Sequence, residues 1–395
     1  MIRTTAVIRG FAAAIVLQCA YAQAANIVVN STADSGGSCT LRNAIQNAVN
    51  NNQTNSGCAA GSGVDTITFD PTVFATPQTI IVGSTLPQLT DSSTTTIDGG
   101  NNVTISGQGS VQIFWIGNLS NGAGSVVLRN LVIANGNANG SGGNGYYGGG
   151  IQMVGTSLEL DHVTFSGNSA SFGGGGFFTQ SGTTTVNDCI FTGNTLPTAP
   201  GGGAYDSGGT LNVSNSTFVG NSADSGAGIF AGSGTVSVTN STFNGNSSNR
   251  GSAIRNFGSA AMTIDYVTIS GNSATSFGGG AMSQESSGAL TLHNSIVANN
   301  SNSDCYSSSF TNAGQNFLGD NSCGTSGSGS PMLAALNYTG GLTPTMVPLP
   351  GSPVLGAASC DAVTTDQRGV TRPQNGTCDI GAVEVEAPIF ANGFE

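Results

Sequence analysis

Lysine is absent from the 395 residues, and positive charge is scarce throughout the chain. All 8 basic residues are arginine, and they stand against 20 acidic residues, for a formal net charge of −12. Without the two arginines of the predicted export signal, 6 arginines remain against 20 acids, a net charge of −14. Because nucleic acids and other polyanions bind positively charged surfaces, this balance excludes them as favoured partners.

Long apolar runs are also lacking after the first two dozen residues, so the mature chain offers nothing like the ~20 apolar residues of a membrane-spanning helix. Residues 1–24 are typical of a signal peptide. Two arginines precede an apolar core that is followed by small residues (Arg3, Arg9, residues 11–17, Ala22 and Ala24). A lipoprotein signal at Cys19 is the alternative. We predict an exported protein, secreted or associated with the cell surface and outer membrane.

Seven cysteines remain in the mature chain, and six of them form three local couples. The simplest interpretation is three short-loop disulfides, which an exported location favours. The couples are Cys39 with Cys58, Cys305 with Cys323, and Cys360 with Cys378. Cys189 is left over in a strand-like run, where we expect a buried free thiol.

Internal repetition is the dominant feature of the sequence. An element of the form Phe-x-Gly-Asn recurs every 25 to 28 residues, with final asparagines at Asn168, Asn194, Asn221, Asn246, Asn272 and, more loosely, Asn300. A glycine-rich element keeps the same period, and each unit also contains a stretch in which apolar and polar residues alternate. A unit of about 26 residues with three short strands predicts one coil of a single-stranded parallel β-helix. Asparagine at the same corner of each coil can tolerate left-handed angles and can hydrogen-bond to its neighbours in the coils above and below.

The repeats divide the mature chain into segments. Residues 61–330 are predicted to form nine to eleven β-helix coils. Residues 25–60 are predicted as an N-terminal cap with a short helix that begins after Thr40, and residues 331–385 as a C-terminal cap. Residues 386–395 form a short tail. We expect a monomer that requires no cofactor, with calcium at corner Asp and Asn residues left open.

Three stretches resemble known bacterial proteins. Asn30-Ser-Thr-Ala-Asp34 with Ser38-Cys-Thr-Leu-Arg42 resembles the N-terminal CSLREA domain, although Asn43 stands where that name has Glu. The glycine-rich and Phe-x-x-Asn elements resemble the repeats of chlamydial polymorphic outer-membrane proteins. Residues 366–373 and 378–384 resemble the C-terminal region of choice-of-anchor Q proteins. These resemblances imply an exported, right-handed β-helix at or released from a bacterial surface, and they bring no catalytic residues to carry over.

Catalytic chemistry finds little support in the sequence. Many parallel β-helices are polysaccharide lyases or glycoside hydrolases, which need a base beside calcium-binding acids or converging carboxylates. Asp161 and Asp265 share a predicted column, Asp188 is offset by one, and we interpret all three as solvated strand positions. His162 and His293 lie several coils apart and cannot share a site. We therefore predict no catalytic set and no metal cluster.

One predicted column stands out as a binding candidate. It follows the inward-facing residue of each glycine-rich element and contains Gln152, Phe178, Tyr205, Phe230, Arg255 and Met282. Because side chains alternate along a strand, these six are expected to face out. Phe178, Tyr205 and Phe230 beside Arg255 would then form an exposed ladder that stacks on a surface glycan or binds a host or neighbouring-cell protein. The alternative is that a loop covers the ladder.

A charged set near the C-terminus has two interpretations. It could bind or anchor the protein, but ion pairs that seal the C-terminal cap are favoured. The set comprises Asp366, Arg368, Arg372, Asp379 and Glu384. Overall, the sequence favours an exported adhesin or glycan- or partner-binding scaffold. A polysaccharide lyase or glycoside hydrolase and a purely structural spacer are the alternatives.

Overall fold

The computed structural model describes residues 24–117, 124–140, 145–276, 279–285, 287–307, 310–324, 329–374 and 376–386. Within these residues the chain is nearly all-β, and its parallel strands form a β-solenoid of about 8 turns with about 27 residues per coil. The predicted fold class is therefore confirmed. All but the last residue of the predicted signal peptide and all but the first residue of the predicted tail lie outside the described residues.

The largest sheet, called here the long sheet, contains 18 parallel strands. Each coil contributes strand residues to this sheet before and after a corner of the chain. We call the part before the corner the first half and the part after it the second half; three long strands continue through the corner and belong to both. The strands of the first half are Ala25–Val29, Asp65–Phe69, Thr95–Ser106, Ser125–Ala134, Ser157–Ser166, Thr183–Asn187, Thr210–Ser214, Thr235–Thr239, Ala261–Asp265, Ala289–His293 and Thr311–Ala313. The second half adds Gln78–Ile81, Ile190–Thr192, Thr217–Val219, Thr242–Asn244, Thr268–Ile269, Ile296–Val297 and Phe317–Leu318.

A second parallel sheet of 8 strands, the short sheet, forms another face of the solenoid. Its strands are Phe114–Ile116, Ile151–Val154, Phe177–Gln180, Ala204–Asp206, Ile229–Ala231, Ile254–Phe257, Met282–Glu285 and Cys305–Ser307. Smaller sheets contain Asn137–Ala138 and Ser169–Ala170, and Thr195–Pro200, Ser222–Ser225, Ser247–Ser248 and Ser273–Ala274. The expected nine to eleven coils exceed the observed number, because strands at both ends join the long sheet but not the short one.

Stacked aromatic rings fill the interior behind the second half of the long sheet. The rings of Phe165, Phe191, Phe218 and Phe243 stack nearly parallel, with centroids 4.8, 4.4 and 4.7 Å apart. All four are fully buried. These are the phenylalanines of the repeated Phe-x-Gly-Asn element. The repeat therefore fixes register, because a slip of one residue would turn each ring to the outside.

The asparagine ends of the same element form a buried ladder. After the first member, each Oδ1 accepts from the backbone N–H and the side-chain amide of the asparagine one coil earlier, as between Asn168 and Asn194 at 3.0 Å for both bonds. The bonding between coils agrees with the prediction, but these asparagines do not use the left-handed angle that they could tolerate. The preceding glycines, such as Gly167 with φ 62° and Gly193 with φ 61°, adopt it instead.

Left-handed residues also form the corner that separates the two halves of the long sheet. Asn130, Asn215, Asn240 and Asn294 have φ of 56°, 51°, 44° and 44° there, as expected for a residue type that tolerates this conformation. At three levels of the same corner another residue takes the position: His162, Asp188 and Tyr266.

The N-terminal region contains one α-helix, Leu41–Asn50, which the hydroxyl of Thr40 caps by accepting from the backbone of Asn43 at 3.2 Å. Short 3-10 helix Asn321–Cys323 follows the last strands. All three predicted disulfides are present, Cys39–Cys58, Cys305–Cys323 and Cys360–Cys378. Among the described residues, none of the helices has the length and apolar character to cross a membrane.

Residues 331–385, predicted as a C-terminal cap, lie against the outer face of the second half of the long sheet. Gln367 donates to Thr217 at 2.9 Å and accepts from Thr242 at 2.6 Å. The backbone N–H of Ala382 donates to Thr268 at 3.0 Å. The outward threonines of three successive coils are therefore buried beneath this segment.

Candidate functional site

The outward column of the short sheet contains the predicted binding residues. Strand pairing aligns Gln152, Phe178, Tyr205, Phe230 and Arg255 on successive coils, as the sequence predicted. The prediction was wrong for Met282, which pairs with Ile254 and is fully buried in the core. The glycine-rich element is one residue out of phase in that coil, so Ser283 takes the outward position, followed by Tyr306.

The ladder is not exposed along its length, which corrects the prediction. Phe178 and Phe230 are only 4% and 6% exposed, and Tyr205 is half-buried. Loop residues cover them: the ring of Tyr147 lies 4.4 Å from that of Phe178. Gly173 packs so closely on the Tyr205 ring that a Cβ there would approach it to 2.3 Å. The loops that the sequence left as an alternative do cover the strand.

The covering loops add rings to the ladder and extend it outwards. Centroid distances of 4.7, 5.8, 4.4, 5.2, 4.9 and 6.1 Å connect the rings without interruption. We call this set the aromatic band, and its members in order are Tyr146, Phe172, Tyr147, Phe178, Tyr205, Phe230 and Phe257. The inner rings support the outer ones, since edge-to-face and offset pairs of this kind stabilise one another.

The outermost rings of the aromatic band are open to solvent. Tyr146 and Phe172 stack on each other and are 45% and 52% exposed, and Phe257 at the other end is 43% exposed. The sequence analysis missed these three residues because they lie outside the predicted strand column. An aromatic residue within a glycine-rich loop, as in Tyr146-Tyr147 or Phe172, is the sequence pattern that points to the first two, whereas Phe257 ends the strand Ile254–Phe257.

An arginine cluster borders the Phe257 end of the aromatic band. The guanidinium of Arg255 lies 4.7 Å from the centroid of Phe257 and 5.7 Å from that of Phe230. Arg250 lies over the ring of Tyr306 at 5.3 Å. Glu285 Oε2 joins the two arginines, at 3.3 Å from Arg250 and 3.1 Å from Arg255. Arg255 is therefore a polar flank of the band, held in place by an ion pair.

The acidic residues considered for catalysis fall into two separate groups. Asp161, His162 and Asp188 place one ligand atom each within 4.8 Å of one another, and Asp265, His293 and Asp361 do the same. Asp161 and Asp265 do share a column, but the strands of three intervening coils separate them. The three aspartates therefore do not converge. Burial is the largest influence on Asp188 and Asp265 and raises the pKa of both.

The sequence analysis predicted no metal-binding cluster around either histidine, whereas the structure places two aspartates beside each of them. His293 is paired with Asp265 across adjacent coils, while Asp361 comes from the segment that lies on the solenoid. Residue 361 is distant in sequence, so the repeat pattern gave no indication of it. His162 and Asp188 each follow a strand-paired residue, Asp161 or Asn187, at the left-handed corner.

Cys189 is enclosed in the core, and the C-terminal charged set is held in ion pairs and hydrogen bonds. Cys189 is a buried free cysteine, and burial raises the pKa of its thiol well above the usual range. Arg368 pairs with Asp366 at 2.8 Å, and Arg372 pairs with Glu384 at 2.7 Å with both side chains fully buried. Asp379 accepts from the backbone of Gly356 and Val385. These are the ion pairs and caps that the sequence favoured over an anchoring site.

Comparison with protein-family models, with curated proteins and with solved structures found no match to this chain.

Proposed function

We propose that this chain is an exported β-solenoid that binds glycan chains along the aromatic band and so acts as an adhesin or binding scaffold. The observation that carries the proposal is the unbroken series of ring contacts whose end members, Tyr146, Phe172 and Phe257, are exposed. Monomeric proteins rarely keep grouped aromatic rings at the surface unless the rings contact a partner. Apolar ring faces with polar edges suit the faces of sugar rings.

The geometry of the solenoid favours a polymeric ligand. The exposed rings of the aromatic band belong to different coils: Tyr146 and Phe172 precede the strands Ile151–Val154 and Phe177–Gln180, and Phe257 ends the strand Ile254–Phe257. Successive coils repeat at about 4.8 Å, so these rings are spread along the solenoid axis. A linear glycan can contact several coils at once, and weak contacts then add through multivalency.

Charge narrows the class of glycan. The net charge of −12 repels polyanionic polysaccharides, and the charge of Arg250 and Arg255 is shared with Glu285. A neutral or weakly charged glycan is therefore the ligand we propose. A protein partner is the competing occupant.

Export and a surface location are part of the same proposal. Three disulfides support an oxidising compartment. The N-terminal segment that resembles a signal peptide, and the resemblance of both ends to CSLREA and choice-of-anchor Q regions, support a bacterial surface protein.

The test is a glycan array and a polysaccharide pull-down with the purified mature protein, scored for both binding and release of oligosaccharides. The double variant Tyr146→Ala/Phe172→Ala removes two exposed rings, so it should fold normally while its affinity falls by at least about tenfold, or about 1.4 kcal/mol. Tyr338→Ala is the matched control, because Tyr338 is 61% exposed in the C-terminal segment and lies outside the band.

Binding of neutral glycans that is lost in the double variant and kept in Tyr338→Ala supports the proposal. Equal binding by all three proteins, or no binding to any glycan, contradicts it. Release of oligosaccharides would favour the lyase or hydrolase alternative over a binding scaffold.

A further inference from the structure

The corner between the two halves of the long sheet departs from its own asparagine pattern at three levels: Tyr266 stands at one, and the other two are adjacent. Asn130, Asn215, Asn240 and Asn294 take the left-handed position at other coils, whereas His162 and Asp188 take it at successive coils. Asparagine tolerates this backbone better than histidine does. The substitution therefore gives the corner no conformational benefit, and it places two ionisable groups beside Asp161.

The three side chains gather their donor atoms in one place. Asp161, His162 and Asp188 each offer one ligand atom, and the three atoms lie within 4.8 Å of one another. His162 Nδ1 is 2.9 Å from Asp161 Oδ1. The same Nδ1 is buried and makes no hydrogen bond of good geometry. Two ligand atoms this close without a hydrogen bond between them are compatible with two ligands of a shared cation.

A neighbouring amide holds the carboxylates from the side. Asn187 Nδ2 donates to Asp161 Oδ1 at 3.1 Å and to Asp188 Oδ2 at 2.7 Å. Such outer hydrogen bonds orient metal-binding carboxylates in known sites.

We propose that Asp161, His162 and Asp188 form a binding site for a divalent transition cation, with zinc as the best match. Zinc accepts imidazole nitrogen and carboxylate oxygen together, and water can complete the tetrahedron at a partly open site. Ligand atoms about 2.1 Å from zinc lie roughly 3.4 Å apart, so small side-chain rotations must open the 2.9 Å pair of Asp161 and His162 and draw in any ligand atom nearer the 4.8 Å limit. Calcium prefers six or more oxygen ligands and suits this set poorly.

The second histidine cluster provides a contrast within the same chain. His293 Nδ1 makes a hydrogen bond to Asp265 Oδ1 at 2.9 Å and lies 3.3 Å from Asp361 Oδ2. Asn294 also donates to Asp361 at 3.2 Å. The Nδ1 position is therefore already used, in an ion pair that joins the solenoid to the C-terminal segment. The same residue types are present, but here Nδ1 makes a hydrogen bond, which the Nδ1 of His162 does not.

The experiment is isothermal titration of the untagged, chelator-treated mature protein with zinc chloride. His162→Asn and Asp188→Asn are suited to it, because asparagine is the corner's usual residue and should preserve the left-handed turn. His293→Asn is the matched control. We expect one zinc ion per chain, an affinity at least about tenfold weaker in both corner variants, and an unchanged affinity in the control.

Thermal unfolding provides a second readout that does not depend on the titration. Zinc should raise the midpoint of the wild-type protein and of His293→Asn, and should raise that of His162→Asn clearly less at the same zinc concentration. Absence of stoichiometric binding in the wild-type protein, or full affinity in the corner variants when their circular dichroism is native, would overturn the proposal. So would loss of binding in His293→Asn alone.

Discussion

Asp206 permits a quantitative test of how the solenoid interior treats charge. It lies on the short sheet between Thr179 and Ala231 on adjacent coils, with its side chain inward and fully buried. Oδ1 accepts a long bond of 3.3 Å from the backbone of Gly208, and Oδ2 has no hydrogen-bond partner. Burial therefore raises the pKa of this carboxyl from 3.8 to about 7.

The direction in which pH changes the free energy of unfolding follows from the linkage between proton binding and folding. The folded state binds the Asp206 proton more tightly than the unfolded state, so this proton's stabilising effect is complete below the unfolded pKa. It is lost as the pH rises through the folded pKa of about 7, and the stability reaches a plateau above that value. One pKa unit corresponds to about 1.4 kcal/mol, so titration should lower the free energy of unfolding by roughly 2.5 kcal/mol between about pH 5 and pH 8.

Asp206→Asn removes the ionisation and keeps the shape. Its amide has no assured partner, which adds a constant cost of about 1–3 kcal/mol, but that cost does not vary with pH. Urea unfolding at both pH values isolates the titrating part as the difference between the two proteins. Asp224→Asn, which replaces a partly exposed aspartate bonded to Asn249, is the control and should keep the wild-type pH dependence. A variant at position 206 that retains the wild-type slope would refute the reasoning.

Two further predictions concern the core. Phe218→Ala interrupts the ring stack between Phe191 and Phe243 and should lower the free energy of unfolding by about 3–5 kcal/mol in urea; a change below 1 kcal/mol would mean that the stack contributes little. Cys189 is buried and holds its proton, so a thiol reagent should modify it only after the chain is unfolded. Rapid labelling of the native protein, measured by mass spectrometry against Cys189→Ala, would contradict this.

The period of the repeat was sufficient to predict the fold. A side chain's direction in a stacked coil depends on its place in that period, so the core phenylalanines, the asparagine ladder and the outward column from Gln152 to Arg255 could all be assigned. The register failed at Met282, where the glycine-rich element is one residue out of phase and local sequence does not reveal the shift. The three disulfides could be paired because each joins cysteines close in sequence.

Exposure could not be predicted in the same way. Whether Phe178 is open or covered depends on the path of the loop carrying Tyr147, and a glycine-rich loop has no period from which to derive that path. Likewise, Asp361 approaches His293 only because the C-terminal segment lies along the solenoid. Both contacts join residues that the repeat does not relate to each other.

Both proposed binding sites lie where the sequence departs from the repeat, and this has a physical reason. A regular coil buries its apolar side chains and satisfies its backbone through its neighbours, so identical stacked coils leave only a uniform polar surface. A distinct site requires a departure from the repeat, such as the rings of Tyr146 and Phe172 in their loops or His162 and Asp188 at an asparagine corner. If the aromatic band and the corner cluster are both functional, replacing their residues with those of the neighbouring coils should abolish binding while preserving the fold. Wherever the repeat supplies a residue for the position, such a replacement is therefore a more discriminating test than a replacement with alanine.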